Sequence, residues 1–266
     1  MKDLQGKVAV ITGGAGGVGS ALAARLADRG CHLALVDISE EALTKVVNEL
    51  SVKNINITSH VVDITDKAQM SELPAKVLAA HGKVNILVNN AGITYQKSFE
   101  THSIEDWEKI IAINWWGLLY GCHYFLDALK DSGEGHIINL SSMSAFVGLP
   151  GQTSYCATKA AVKLLSESMW AEMEKLDIGV TSVHPGAIKT GMIQATLKNS
   201  DDLEAAQRNY ELAQRIGVTP EHVVARIIKA IQKKDLRIRV GKDAILLDLL
   251  KRWFPVGIQK LLRLAA

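Results

Sequence analysis

The sequence predicts an α/β fold: a doubly wound, seven-stranded parallel sheet with helices on both faces. Three observations carry that reading. Seven short strand-like runs lie near 7–11, 32–36, 58–62, 84–88, 135–140, 178–183 and 236–240. Helical patterns fill most of the gaps, and such alternation implies parallel strands joined by crossover helices. Polar residues of chemical interest follow the strands directly: Gly13, Asp37, Asp63, Asn90, Ser142 and Pro185. An open α/β sheet binds its ligands at those carboxyl ends. With 266 residues and no repeat or linker, one domain over 1–266 is expected.

The first strand, 7–11, runs into Thr12-Gly13-Gly14-Ala15-Gly16-Gly17-Val18-Gly19, and an amphipathic helix follows over 20–29. Strand, glycine loop and helix N-terminus form a phosphate cradle. Glycines allow close backbone approach, and free N–H groups with the helix dipole favour a pyrophosphate. Gly14-x-Gly16-x-x-Gly19 fits the dinucleotide expression G-x-G-x-x-G literally, although a glycine-rich run fits it easily. The second strand, 32–36, ends at Asp37, eighteen residues after Gly19. An acid there suits the two adenosine-ribose hydroxyls of NAD and repels the 2′-phosphate of NADP. The fourth strand, 84–88, leads into Asn89-Asn90-Ala91-Gly92. Beyond the fifth, Tyr155 and Lys159 stand four apart on a helix, hence on one face, with Ser142 thirteen residues before Tyr155. Free tyrosine has a pKa of about 10, and moving it near 7 requires roughly 4 kcal/mol of differential stabilisation. Lys159 and a bound cofactor cation together are expected to supply it.

These residues resemble the short-chain dehydrogenase/reductase family over nearly the whole chain. The family pattern T-G-x-x-x-G-x-G falls on Thr12, Gly13, Gly17 and Gly19, and N-N-A-G on Asn89, Asn90, Ala91 and Gly92. The family's helix asparagine matches Asn114, its serine Ser142, its tyrosine Tyr155 and its lysine Lys159. P-G-x-x-x-T matches Pro185-Gly186-Ala187-Ile188-Lys189-Thr190, and Asp63 matches the aspartate beside the adenine, with Ile64 next to it. Trp115-Trp116 departs from the smaller residues usual there and is expected to shape a subunit contact. The resemblance implies a Rossmann-type fold and catalysis by Asn114, Ser142, Tyr155 and Lys159. It implies a cofactor held by Gly13, Gly17, Val18, Gly19, Asp37, Asp63, Ile64, Asn90, Ala91, Gly92, Tyr155, Lys159, Pro185, Gly186, Ile188 and Thr190. It also implies a mobile lid over about 190–217, apolar at Met192, Ile193, Ala195 and Leu197. With Phe146, Val147 and Leu149, that lid suggests a greasy pocket.

Bulk properties exclude several classes. A net charge of +2 gives no general nucleic-acid affinity. The three cysteines, Cys31, Cys122 and Cys156, are odd in number and far apart, which favours a reduced cytoplasmic setting without disulfides. The eight histidines form no metal signature, so no metal is expected. The polar N-terminus has no secretory pattern, and no apolar run reaches the ~18 residues a spanning helix needs. The tail over 243–266 is unusual, because large apolar residues interleave with Lys251, Arg252, Lys260 and Arg263. Such a segment can lie on an anionic membrane surface, making the protein peripheral, or pack over its own pocket or a partner subunit. Packing on protein is the expectation.

The sequence therefore predicts an NAD-dependent oxidoreductase for a secondary alcohol or ketone, lipophilic in character, working as a homodimer or homotetramer. An NADP-linked carbonyl reductase is disfavoured by Asp37 and by the lack of Lys or Arg in 13–19 and at 38–39. A cofactor-binding protein without turnover is disfavoured by the full set Asn114, Ser142, Tyr155 and Lys159.

Overall fold

Seven parallel strands form one sheet in the order β3-β2-β1-β4-β5-β6-β7. They are β1 (Val8–Thr12), β2 (His32–Asp37), β3 (Ile57–Val61), β4 (Ile86–Asn89), β5 (Gly135–Leu140), β6 (Ile178–Pro185) and β7 (Arg237–Val240). The computed structural model describes residues 1–191, 197 and 200–264. The expected strands are all present, displaced by two residues or fewer at any end. The architecture is the Rossmann-type sheet the sequence implied.

β1, β4, β5 and β6 are buried along their length; β1 and β4 read as apolar runs, whereas β5 and β6 also bury His136, Asn139, Thr181, Ser182 and His184. Alternate side chains feed two cores. Ala9 and Ile11 join one face, against Leu22 and Leu26 of α1 (Gly17–Ala27) and Leu43 of α2 (Glu40–Leu50). Val10 joins the other, against Met70 and Leu73 of α3 (Lys67–His81). That face continues through α4 (Ile104–Ile111), α5 (Leu118–Tyr124), α6 (Leu126–Asp131) and α7 (Thr153–Met173). The first face is completed by α9 (Pro220–Lys233), which follows α8 (Leu203–Ile216). Two short helices, α10 (Lys242–Trp253) and α11 (Gly257–Leu264), end the described chain.

Capping explains several helix starts. Ser39, Ser103, Asp202 and Thr219 each accept a backbone N–H of the first turn, and Asp66 accepts two. One element has no counterpart in the sequence reading. Between α4 and α5 the chain makes a π-helical turn over Ala112–Gly117, and Asn114 lies in it. Periodicity at 3.6 residues does not distinguish such a turn from ordinary helix, and π-bulges recur at functional sites. Among the described residues, no helix is long and apolar enough to cross a membrane.

Candidate active site

The chain leaves β1 and β4 towards opposite edges of the sheet, so a crevice opens at their adjacent carboxyl ends. Gly13 begins it with φ +62°, a conformation that favours glycine. A Cβ at Gly13 would lie 2.9 Å from the Ala91 Cα, and one at Gly17 would lie 3.2 Å from Thr190 Cγ2. A Cβ at Gly19 would collide with the Gly13 carbonyl oxygen. α1 starts at Gly17 with no side-chain cap and no acid in its first turn, so its N–H groups, that of Val18 among them, are open to an anion. The cradle is one that side chains would fill, and it fits a dinucleotide pyrophosphate.

Two neighbours pin this loop. Asn90 Nδ2 donates to the carbonyls of Thr12 and Gly13, each at 3.0 Å, and the N–H groups of Asn90 and Ala91 donate to Thr12 Oγ1 at 3.1 and 3.2 Å. Asp37 accepts from the Ala15 N–H at 3.1 Å and the Ser39 N–H at 3.2 Å. Its carboxylate keeps lone pairs for further hydroxyl donors. Ile38 beside it is 68% exposed, an apolar surface the sequence reading did not single out. Asp63 accepts from the N–H and hydroxyl of Thr65 at 2.9 and 2.7 Å. Ile64 packs where Gly117 leaves room.

The four residues of the expected catalytic set converge near the carboxyl end of β5. Ser142 caps a one-turn 3₁₀ helix, Met143–Ala145, and its hydroxyl donates to Ser144 Oγ at 3.2 Å. Buried Lys159 donates to the Leu140 carbonyl at 2.8 Å, and its Nζ lies 5.6 Å from the Tyr155 ring centroid. Burial holds the Lys159 ammonium down to about 8. Burial pushes the Tyr155 phenol up to about 12, and the Ser142 hydroxyl only partly offsets this. Lys159 Nζ donates to Leu140 and not to the phenol, and burial outweighs what lowers the phenol.

Asn114 is buried, and its amide pairs with the Ile93 backbone, accepting the N–H at 2.8 Å and donating to the carbonyl at 2.9 Å. Its second amide hydrogen goes to Thr158 Oγ1 at 3.3 Å. The position a Gly92 Cβ would occupy lies 3.1 Å from Asn114 Oδ1 and 3.4 Å from Lys159 Nζ, so glycine lets both polar atoms approach the backbone here. At the end of β6, Pro185 is buried and the Gly186 N–H donates to the Val240 carbonyl at 2.8 Å. Ile188 bridges to Val218, and Thr190 abuts the glycine loop at Gly17.

Three supporting residues carried no motif. His184 bonds the Ser142 carbonyl through Nδ1 and Ser182 Oγ through Nε2, both at 3.0 Å, and its ring lies tilted against Phe146 with centroids 4.5 Å apart. Ser141 Oγ donates to the Lys159 carbonyl at 2.8 Å. Thr94, two residues past Gly92, buries a hydroxyl with no partner among the described residues. Only its place after N-N-A-G could have drawn attention to it. The greasy-pocket expectation needs correcting in part, because Phe146 and Val147 pack against Ile258 of α11. Met192, Ile193 and Ala195 of the expected lid lie outside the described residues. The cysteines are all free and buried, and burial pushes Cys31 and Cys122 up to about 12, so they behave as small core residues.

Residues 7–201 match the family described as short chain dehydrogenase. The chain belongs to that family. This dehydrogenase is 33% identical over 265 residues to SadH of Mycobacterium tuberculosis, provisionally named an oxidoreductase, covering 98% of this chain and 95% of that protein. It is 37% identical over 187 residues to the 2,5-dichloro-2,5-cyclohexadiene-1,4-diol dehydrogenase LinX of Sphingobium indicum, covering 70% and 75%. Its fold superposes with a TM-score of 0.88 on a short chain dehydrogenase/reductase of Burkholderia phymatum solved in complex with NAD, at 28% identity and 97% coverage of both chains.

Proposed function

We propose that this dehydrogenase transfers hydride between a secondary alcohol or ketone and NAD. The observation that carries the reading is the convergence of Ser142, Tyr155 and Lys159 beside a glycine cradle that Cβ atoms would fill. Bound nicotinamide supplies the hydride acceptor or donor and, when oxidised, a positive charge. The protein supplies geometry and proton handling. Tyr155 takes the proton of the substrate hydroxyl during oxidation and returns it during reduction. Ser142 orients the substrate oxygen and stabilises charge developing on it, an effect typically worth ~3 kcal/mol per donor. Lys159 holds the nicotinamide ribose and, with the charge of the cofactor, brings the phenol into a useful range. Asn114 holds a water that relays protons from Lys159 to solvent.

Asp37 selects NAD over NADP, Asp63 and Ile64 border the adenine, and Ile188 with Thr190 contacts the carboxamide. Residues 1–266 act as one catalytic domain, with 190–217 as the lid over an apolar substrate. The protein works as a homo-oligomer in the cytoplasm, joined through the helices that follow Asn114 and carry Tyr155.

The test is a panel of secondary alcohols, sterols and hydroxyacyl compounds, with NAD and NADP compared at 340 nm. Turnover with NAD, favoured at least about tenfold over NADP, supports the proposal. NAD binding without turnover on any substrate, or a preference for NADP, contradicts it.

A further inference from the structure

We propose that the outward face of the two C-terminal helices docks on an anionic membrane surface. The inward face of this segment is occupied. Ala244, Asp248 and Ile258 are buried, while Leu247, Leu250 and Leu262 pack with the Phe146 and Val147 cluster. Gln259 Nε2 donates to the Gly148 carbonyl at 3.3 Å. The segment is thus fastened to the loop that leads away from Ser142, as expected of a tail that packs on protein.

That packing does not account for the outward face. On α10, Ile245, Leu246, Leu249 and Trp253 recur at helical spacing and are all exposed. Trp253 and Phe254 are 74% and 63% exposed where the chain turns before Pro255, and Leu261 and Leu264 of α11 are 59% and 80% exposed. An outer helix normally turns its polar face to water, so this face needs another cover.

Charge identifies the cover. The segment has five cations, Lys242, Lys251, Arg252, Lys260 and Arg263, and two acids, Asp243 and Asp248. Both acids turn inward. Asp243 accepts the Ala187 N–H at 2.8 Å. Asp248 is 3% exposed and paired with Arg239 at 2.7 Å and Arg252 at 3.1 Å. The exposed face of 242–264 therefore combines large apolar side chains with cations and presents no acid. A second copy of this face would set cations against cations. Lipid phosphates pair with those cations, while Trp253 and Phe254 enter the boundary of the acyl chains.

The experiment is sedimentation of the full-length protein with vesicles of phosphatidylcholine alone or with about 30% phosphatidylglycerol. The protein should pellet with the anionic vesicles at least about tenfold more strongly than with neutral ones, and high salt should weaken that binding. The double variant Trp253→Ser, Phe254→Ser and the double variant Lys260→Glu, Arg263→Glu should each lose binding about tenfold or more. Mass by light scattering and thermal midpoint should not change in either. Equal sedimentation with neutral and anionic vesicles would overturn the proposal. So would a fall in oligomer mass in the Trp253 and Phe254 variant, which would make this face a subunit contact.

Discussion

Burial pushes the Tyr155 phenol up to about 12, so at neutral pH the unliganded site holds a protonated tyrosine. In the proposed alcohol oxidation Tyr155 is the base, so the reaction needs the phenolate, and the rate should rise tenfold per pH unit below the phenol's effective pKa. The charge of oxidised cofactor acts on the same group. Titration of the phenolate absorbance, taken as the difference between wild type and Tyr155→Phe, should therefore give a value above 10 without NAD and at least about two units lower with it. An unchanged value on adding NAD would mean that proton transfer does not depend on the cofactor. In the proposed reaction Asp37 has a comparable double role, because its carboxylate also holds the glycine loop through the Ala15 N–H and bonds the Ser39 N–H at the start of α2. Asp37→Asn keeps an acceptor for that loop and removes the negative charge. The ratio of kcat/KM for NAD over NADP should then fall about tenfold or more while the fold stays intact. An unchanged ratio would place cofactor selection elsewhere.

The elements that carry the site differ in how far the sequence reveals them. β1, the glycine loop and α1 are legible because apolar runs and glycines punctuate the chain locally. The two most crowded glycines of the loop are Gly13, at positive φ, and Gly19, and only the pattern T-G-x-x-x-G-x-G includes both. The π-turn at Asn114 and the support from His184 were not legible. Both depend on partners distant in sequence, Ile93 for Asn114 and the Ser142 carbonyl for His184. Burial lowers His184 from 6.5 to about 4. Between those values the unfolded chain binds the extra proton, so this stability is complete above pH 6.5 and is lost as pH falls towards 4. The loss amounts to about 3 kcal/mol. Urea unfolding should give a shallower acid decline in His184→Asn, whose amide can still donate to the Ser142 carbonyl. The same decline in both proteins would show that His184 is not buried neutral. His136, lowered to about 3, continues the acid sensitivity in either protein.

At the scale of the molecule, two helical stretches expose apolar surface away from the C-terminal segment. Trp116 is 46% exposed and stacks on Tyr120 at 5.8 Å, and Tyr120 lies 6.0 Å from Tyr124. On α7, Leu164 and Trp170 are 59% and 39% exposed. Subunit association through these faces would cover them, so light scattering should report a dimer or tetramer at micromolar concentration. A mass near 28.9 kDa would refute that assembly. In the proposed reaction Tyr155 is the residue that moves the substrate proton. The most direct measurement compares wild type and Tyr155→Phe for NADH formation at 340 nm on one working secondary alcohol, with NAD affinity measured in parallel. The account predicts a loss of ~10²–10⁴-fold in kcat with NAD affinity largely intact. A variant that keeps more than about a tenth of the wild-type rate would contradict it.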